Sequence, residues 1–162
     1  MKYIVFLFIT LCCLTSNAQT VRYTYKALAA EGCRMQYSVS KQDTSYYIIA
    51  TVSSDRMRFL KEPQMRIRTF DDVVLSLNGT TLDNRDETAG VIVGSVVIPV
   101  TEIHSTAQFK ITPLQFEKIK NGVSKIRLDM TPMNHERTFN KDKIGKKLYK
   151  FYLQAKSKDE NF

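Results

Sequence analysis

The chain has no tryptophan, and its 162 residues include six glycines, four prolines and three cysteines. So few glycines leave no phosphate-cradling loop: neither the Walker pattern nor the dinucleotide-binding glycine pattern occurs. No Pro- or Gly-rich linker divides the chain, and no internal repeat or low-complexity tract is present, which reads as one domain. Histidine is as scarce, with His104 and His135 the two examples. Together with one cysteine they are too few to close a structural zinc site. His135-Glu136 lacks the second histidine that a zinc-protease helix carries four residues on. No Gly-x-Ser-x-Gly elbow accompanies either histidine. The Asp-Asn-Arg-Asp-Glu stretch at 83–87 has neither the sixth-position glycine nor the twelfth-position glutamate of an EF-hand. No metal or cofactor is therefore expected. A sugar-stacking platform would fall to Tyr23, Tyr25, Tyr37, Tyr46 and Tyr47, which at strand spacing read as sheet-face residues.

Long apolar runs are also few. The first covers positions 3–14, follows Lys2 and ends in Thr15-Ser16-Asn17-Ala18. Small residues at 16 and 18 fit a signal-peptidase site, so 1–18 reads as a secretory signal peptide and 19–162 as a single globular domain. The run falls short of the ~20 residues a membrane span requires. The expected product is exported, periplasmic or extracellular. Cys12 and Cys13 lie inside that run, preceded by Leu11 rather than by the small residue of a lipid attachment site. Cys33 is then alone, cannot form an intrachain disulfide, and reads as a small buried apolar residue. The second run, at 91–100, is broken by Gly94-Ser95 and reads as a buried strand or two, with Pro99 at a sheet edge.

What is present is alternation. Residues 35–54 read as a hairpin turning at 41–44. At 65–70 the pattern puts Met65, Ile67 and Thr69 on one face and Arg66, Arg68 and Phe70 on the other. Asp71-Asp72 turns the chain into Val73-Val74-Leu75-Ser76-Leu77. Asn78-Gly79 then reads as a type I′ hairpin turn, with 80–82 starting the return strand and 83–90 a polar loop. Residues 106–111 form a further short strand. A helix is expected near 112–121, capped by Thr112, with Pro113 at its first position, Gln115 completing a capping box, and Leu114, Phe116 and Ile119 supplying apolar contacts. Residues 123–130 alternate Val123, Lys125, Arg127 and Asp129 against Ser124, Ile126, Leu128 and Met130. A second helix near 141–155 carries Ile144, Leu148, Phe151, Tyr152 and Ala155 as one stripe.

The stretch Phe-Lys-Ile-Thr-Pro-Leu-Gln-Phe-Glu-Lys-Ile-Lys-Asn-Gly at 109–122, continuing Val-Ser-Lys-Ile-Arg-Leu-Asp-Met at 123–130, resembles a strand–helix–strand pattern of small secreted proteins of unknown function from Gram-negative bacteria. The Asp71-Asp72 turn and the Val-Val-Leu-Ser-Leu-Asn-Gly that follows are similar to the same group. The resemblance implies an α+β domain and an exported bacterial protein. It brings no activity, cofactor or site residue.

The remaining signal is charge: 24 basic side chains against 16 acidic ones, a net +8. That favours polyanionic surfaces as partners. Lys143, Lys146, Lys147 and Lys150 stand on the polar side of the second helix and form the candidate contact with an anionic surface. The expected fold is α+β, an antiparallel meander-type sheet packed by one or two helices. The expected function is a non-enzymatic binding or accessory module of the envelope, its ligand a protein or an anionic envelope component. Export argues against nucleic acid, and any membrane contact is peripheral. Two alternatives stand beside it. One is an enzyme with an acidic site or a Cys33–His104 or Cys33–His135 pair; the other is a peripheral membrane protein working through the basic helix.

Overall fold

A computed structural model describes residues 21–26 and 32–157; the signal-peptide expectation for 1–18 lies outside the described residues. The chain is an α+β fold of ten strands and two helices among the described residues. In order these are β1 (Val21–Lys26), β2 (Gly32–Gln42), β3 (Ser45–Ser54), β4 (Arg58–Phe59), β5 (Gln64–Thr69), β6 (Val74–Val93) and β7 (Val96–Ile111). Then come α1 (Pro113–Ile119), β8 (Val123–Leu128), β9 (Met130–Thr131), β10 (His135–Thr138) and α2 (Gly145–Ser157). Eight strands form one antiparallel sheet in the order β1-β2-β3-β7-β6-β5-β8-β10, and β4 pairs with β9 separately.

The expected meander holds only locally. β1, β2 and β3 follow one another, with Asp43-Thr44 turning the chain between Gln42 and Ser45. The strand beside β3 is then β7, paired antiparallel from Tyr46↔Ile111 to Ser54↔Ile103. The segment β5-β6-β7 is thus laid down in reverse, and β8 adds on the far side of β5. Local pattern specifies hairpins; it carries no information about which distant edges meet.

Period-two alternation separates core from solvent. β3 buries Tyr46, Ile48, Ala50 and Val52; β5 buries Met65, Ile67 and Thr69 and exposes Arg66 and Arg68. β8 buries Ile126 and Leu128, and a register shift at Arg68/Thr69 brings Val123 inward as well. The helices cover this face. Thr112 accepts from the Gln115 N–H at 3.2 Å and Gln115 accepts from the Thr112 N–H at 2.9 Å, with Pro113 next. α1 buries Phe116 and Ile119, but Leu114 is 78 % exposed, because it lies on the far side of a helix only seven residues long. Phe116 stacks on Tyr152 of α2 at 4.4 Å, and Tyr152 meets Tyr46 edge-on at 5.0 Å. The Tyr149 hydroxyl donates to Glu117 at 2.8 Å, joining the two helices.

α2 begins at Gly145, later than the sequence pattern suggests. The Asp142 carboxylate accepts from the N–H groups of Ile144, Gly145 and Lys146, and also from Val123 at the start of β8. Those donors are the ones a helix start leaves without intrahelical partners. Burial alone would raise the Asp142 pKa, but the four backbone N–H groups outweigh it and hold the carboxyl below its ordinary value.

The region 78–100 departs most from expectation. Asn78-Gly79 is not a turn, 80–82 is no return strand and 83–90 is no loop: all lie within the single strand β6. Gly79 is there for close approach. A Cβ on it would come within 2.5 Å of the Phe109 ring and 2.7 Å of the Gln108 carbonyl oxygen. The turn falls instead at Gly94-Ser95, between Val93 and Val96. Gly94 has φ +64°, the left-handed first position of a type II′ turn, which suits glycine. Residues 91–100 are therefore no buried strand. They form the exposed end of the β6–β7 hairpin.

Substituting Gly79→Ala forces either the Phe109 ring or a backbone carbonyl to move. The expected cost is about 1–3 kcal/mol, read as a lower urea midpoint with an unchanged denaturant slope.

Candidate functional site

The pleat decides which chemistry-bearing residues can meet. Arg34 of β2 lies opposite Ser53 of β3, and Ser53 lies opposite His104 of β7. These three share the outer, uncovered face. Cys33, one residue from Arg34, points into the core and is buried. A Cys33–His104 pair is thus split between opposite faces of the sheet. His135 is on β10, separated from β2 by β3, β7, β6, β5 and β8 in the strand order.

The structure does join one set that sequence reading missed. The Ser53 hydroxyl and His104 Nδ1 are 2.9 Å apart, and His104 Nε2 is 3.7 Å from Glu87 and 3.8 Å from Glu102. The order serine–histidine–carboxylate is that of a hydrolase triad. The surroundings are not. β3 is flanked by β2 and β7, so the backbone N–H groups around Ser53 are committed to the two ladders. None is left to form an oxyanion hole. The set continues a polar row on the outer face that includes Thr51–Thr106 at 3.0 Å, while Thr88–Thr101, at 2.9 Å, stands on the inner face of the hairpin. Among the described residues no three His, Cys, Asp or Glu side chains are grouped to hold a metal ion.

Lys146, Lys147 and Lys150 are exposed on α2, whereas Lys143 precedes the helix. Lys143 lines a depression of about 300 Å3 with Arg137, Asn140 and Lys141. The apolar stripe of α2 is not free: Leu148 and Tyr152 are buried against the core, as is Ile144 just before the helix. The solvent side carries the lysines and one exposed apolar residue, Leu153, while Phe151 and Ala155 are half-buried. Among the described residues no helix is long and apolar enough to cross a membrane.

Seven of the exposed large apolar side chains lie elsewhere, between Val91 and Val100. Beyond Ile103 on one edge and Thr81 on the other, β6 and β7 pair only with each other, as a two-stranded arm ending in Gly94-Ser95. Val91, Val93, Val96 and Ile98 stand on its outer face and Ile92 and Val97 on its inner one. All are exposed, Ile92 by 74 %. With Val100 the outer five form one exposed apolar strip, and Ile92 and Val97 leave a second on the reverse side.

The two edges of the arm differ. The Val93↔Val96 pair closes the turn, so the N–H and C=O groups of even-numbered β6 residues and odd-numbered β7 residues point outward. On β7 the middle outward position is Pro99, which has no N–H to offer. On β6 the outward positions Thr88, Gly90 and Ile92 all carry donors. One edge is blunted and the other is open.

His135 faces the core, fully buried. Burial pushes its pKa down to about 4, and the nearby Arg137 charge adds to the effect. The folded state therefore holds a neutral imidazole that the unfolded chain protonates near pH 6.5. Stability from this group is complete above pH 6.5, falls as pH drops toward 4, and is level below it, a loss of about 3 kcal/mol. Urea denaturation at pH 7 and pH 4 should show this fall, and His135→Gln should flatten it. Asp142, held below its ordinary value, acts only at lower pH.

Comparison with protein-family models, with curated proteins and with solved structures finds no match to the chain.

Proposed function

We propose that the protein is a non-enzymatic binding module of the bacterial envelope, exported by the leader at 1–18, and that two copies assemble through the β6–β7 arm. The observation that carries this reading is the arm: an apolar ribbon with one open edge, standing clear of the core. A hairpin of two strands is marginal in water, and three or more are needed for independent stability. A second copy supplies them. The open β6 edge is self-complementary about Gly90, so antiparallel pairing sets Thr88 opposite Ile92 of the partner subunit and Ile92 opposite the partner's Thr88. That arrangement is isologous, as a two-fold dimer requires. It joins the arms into a four-stranded apolar layer.

A bilayer fits the arm less well. Lipid would accept the apolar faces but leave the outward N–H and C=O groups of both edges unsatisfied, at several kcal/mol each. The uncharged part of each strand, 88–93 and 96–101, also falls short of the ~9–11 residues a spanning strand needs. The catalytic alternatives find no support, since Cys33 and His104 face opposite ways and Ser53 lacks oxyanion donors. The basic helix keeps its lysines but has already committed its apolar stripe.

Sedimentation equilibrium over a range of concentrations tests the assembly. The wild type should dimerise. Ile92→Ala, which retains the N–H, should weaken the dimer, and Ile92→Pro, which removes an outward donor, should abolish it. Val97→Pro, on the edge already blunted by Pro99, should leave it dimeric. At concentrations too low for the dimer to form, all three should melt close to the wild type, because the arm contributes nothing to the core. A wild type that stays monomeric and floats with phosphatidylcholine vesicles would assign the arm to lipid and overturn the dimer. A monomer that ignores vesicles would overturn it too.

A further inference from the structure

The outer face of the sheet carries four cations in a block, near the end of β6 opposite the arm. β5 turns Met65, Ile67 and Thr69 inward, which leaves Arg66 and Arg68 on the outer face. β8 turns Ile126 and Leu128 inward, which leaves Lys125 and Arg127 there. The register sets Arg66 opposite Arg127 and Arg68 opposite Lys125. Neighbouring strands lie ~4.8 Å apart and alternate residues ~6.7 Å apart, so the four stems rise from a rectangle of that size. They line a shallow depression of about 220 Å3, with Val74 and Glu136 at its rim.

Like charges set directly opposite one another weaken a sheet. Two such pairs side by side need an explanation, and internal neutralisation does not give one. Four other guanidinium groups are paired with acids: Arg34 with Glu102, Arg56 with Asp55, Arg58 with Asp86 and Arg85 with Asp83; Arg137, also outside the block, makes no ion pair among the described residues. In the block, Glu136 takes Lys125 at 2.6 Å, and Arg66, Arg68 and Arg127 make no ion pair among the described residues. One carboxylate against four cations leaves a surplus of three positive charges.

We propose that this block is a binding site for a tetrahedral oxyanion, the phosphate or sulfate group of an ester. Three arginine side chains from two adjacent strands, each tipped by a guanidinium fork, line one small depression. A fork presents two parallel N–H donors to a pair of oxyanion oxygens, and the ammonium of Lys125 adds a point charge. The strands hold the stems in fixed register, and the planar fork limits the ordering needed per hydrogen bond formed. A dianion offsets most of the surplus charge and relieves the repulsion between the pairs. The same chemistry is offered by a phosphorylated lipid headgroup and by a soluble ester. The site is independent of the arm and stands whether or not the arms pair.

The test uses the whole protein and its arginine Nε–H resonances. Inorganic phosphate and sulfate should shift the signals of Arg66, Arg68 and Arg127 together. The double variant Arg66→Gln/Arg127→Gln should weaken phosphate binding by about tenfold or more, as expected for lost hydrogen bonds to a charged group. Arg66→Lys/Arg127→Lys, which keeps the charge and loses the forks, should fall between. Lys146→Gln/Lys150→Gln removes the same charge from α2 and should leave affinity within about twofold if site geometry rather than net charge decides. Without anion, the glutamine double variant should melt above the wild type, because it removes a like-charge pair; a merely structural role for these arginines predicts the opposite. Flotation with phosphatidylcholine vesicles containing phosphatidic acid, lost in the glutamine double variant, would assign the ester to a lipid. Phosphate binding without flotation would assign it to a soluble molecule. No shift with either anion and no flotation overturns the site. Equal losses in the glutamine double variant and the α2 control overturn it as well, reducing it to net charge.

Discussion

The helices cover less than the strands extend, and the rest of the structure follows from that shortfall. α1 has seven residues and α2 thirteen, about 10 and 20 Å of helix. β6 alone has twenty residues, roughly 66 Å of extended chain. Two short helices on one face cannot shield a hairpin of that length. Where they do cover the sheet, alternation is strict: β3 buries every second residue along its whole length. Where cover ends, strict alternation ends too. Past Glu87 and Glu102 neither side of the ribbon has a core to face, and β-branched side chains occupy both.

The helical layer is fixed by one carboxylate. Asp142 binds three N–H groups at the start of α2 and a fourth at the start of β8, tying helix and sheet at one point. With α2 anchored there, Tyr152 reaches both Phe116 of α1 and Tyr46 of β3, and the aromatic cluster closes over the sheet. All of this lies on the inner face. The outer face has no layer over it, so its side chains answer to water and to one another. Toward the arm they form a row of polar contacts, Thr51 with Thr106, Ser53 with His104 and Arg34 with Glu102. On β5 and β8 they are cations with too few acids to match.

Local signals in the sequence were legible where one element settled its own fate. The alternation at 65–70 gives the faces of β5, and the apolar positions 116 and 119 give the buried side of α1. Glycine was misleading at Gly79, because a turn and a close approach both call for a missing side chain, and only the position of Phe109 tells them apart. The run at 91–100 misled for a related reason. Apolarity says that a segment is poorly solvated, not what shields it. Arg66 and Arg68 could be placed on one face, and so could Lys125 and Arg127. That the two pairs stand opposite each other depends on β8 adding beside β5, a pairing between segments some sixty residues apart. No local pattern encodes it.

An apolar arm in water and a block of like charges are both unfavourable in an isolated copy. Domains of this size are held by a margin of ~5–15 kcal/mol, so such features draw on a small reserve. They are also placed where the core does not need them. The arm lies outside the helical cover, and the cations point away from the buried face of the same strands. Strand geometry at β5 and β8 is set by Met65, Ile67, Ile126 and Leu128, each fully buried, so the outer positions were open to any side chain, including neutral ones that would suit an unliganded sheet better. Cations there make physical sense when an anion occupies the block, just as the open β6 edge makes sense when another strand lies along it. If the arms pair two copies, each assembly presents two such blocks. The two blocks then stand at the far ends of the paired hairpins, each about fourteen residues of β6 from the Gly90 axis, so they act as separate sites for any ligand shorter than that span.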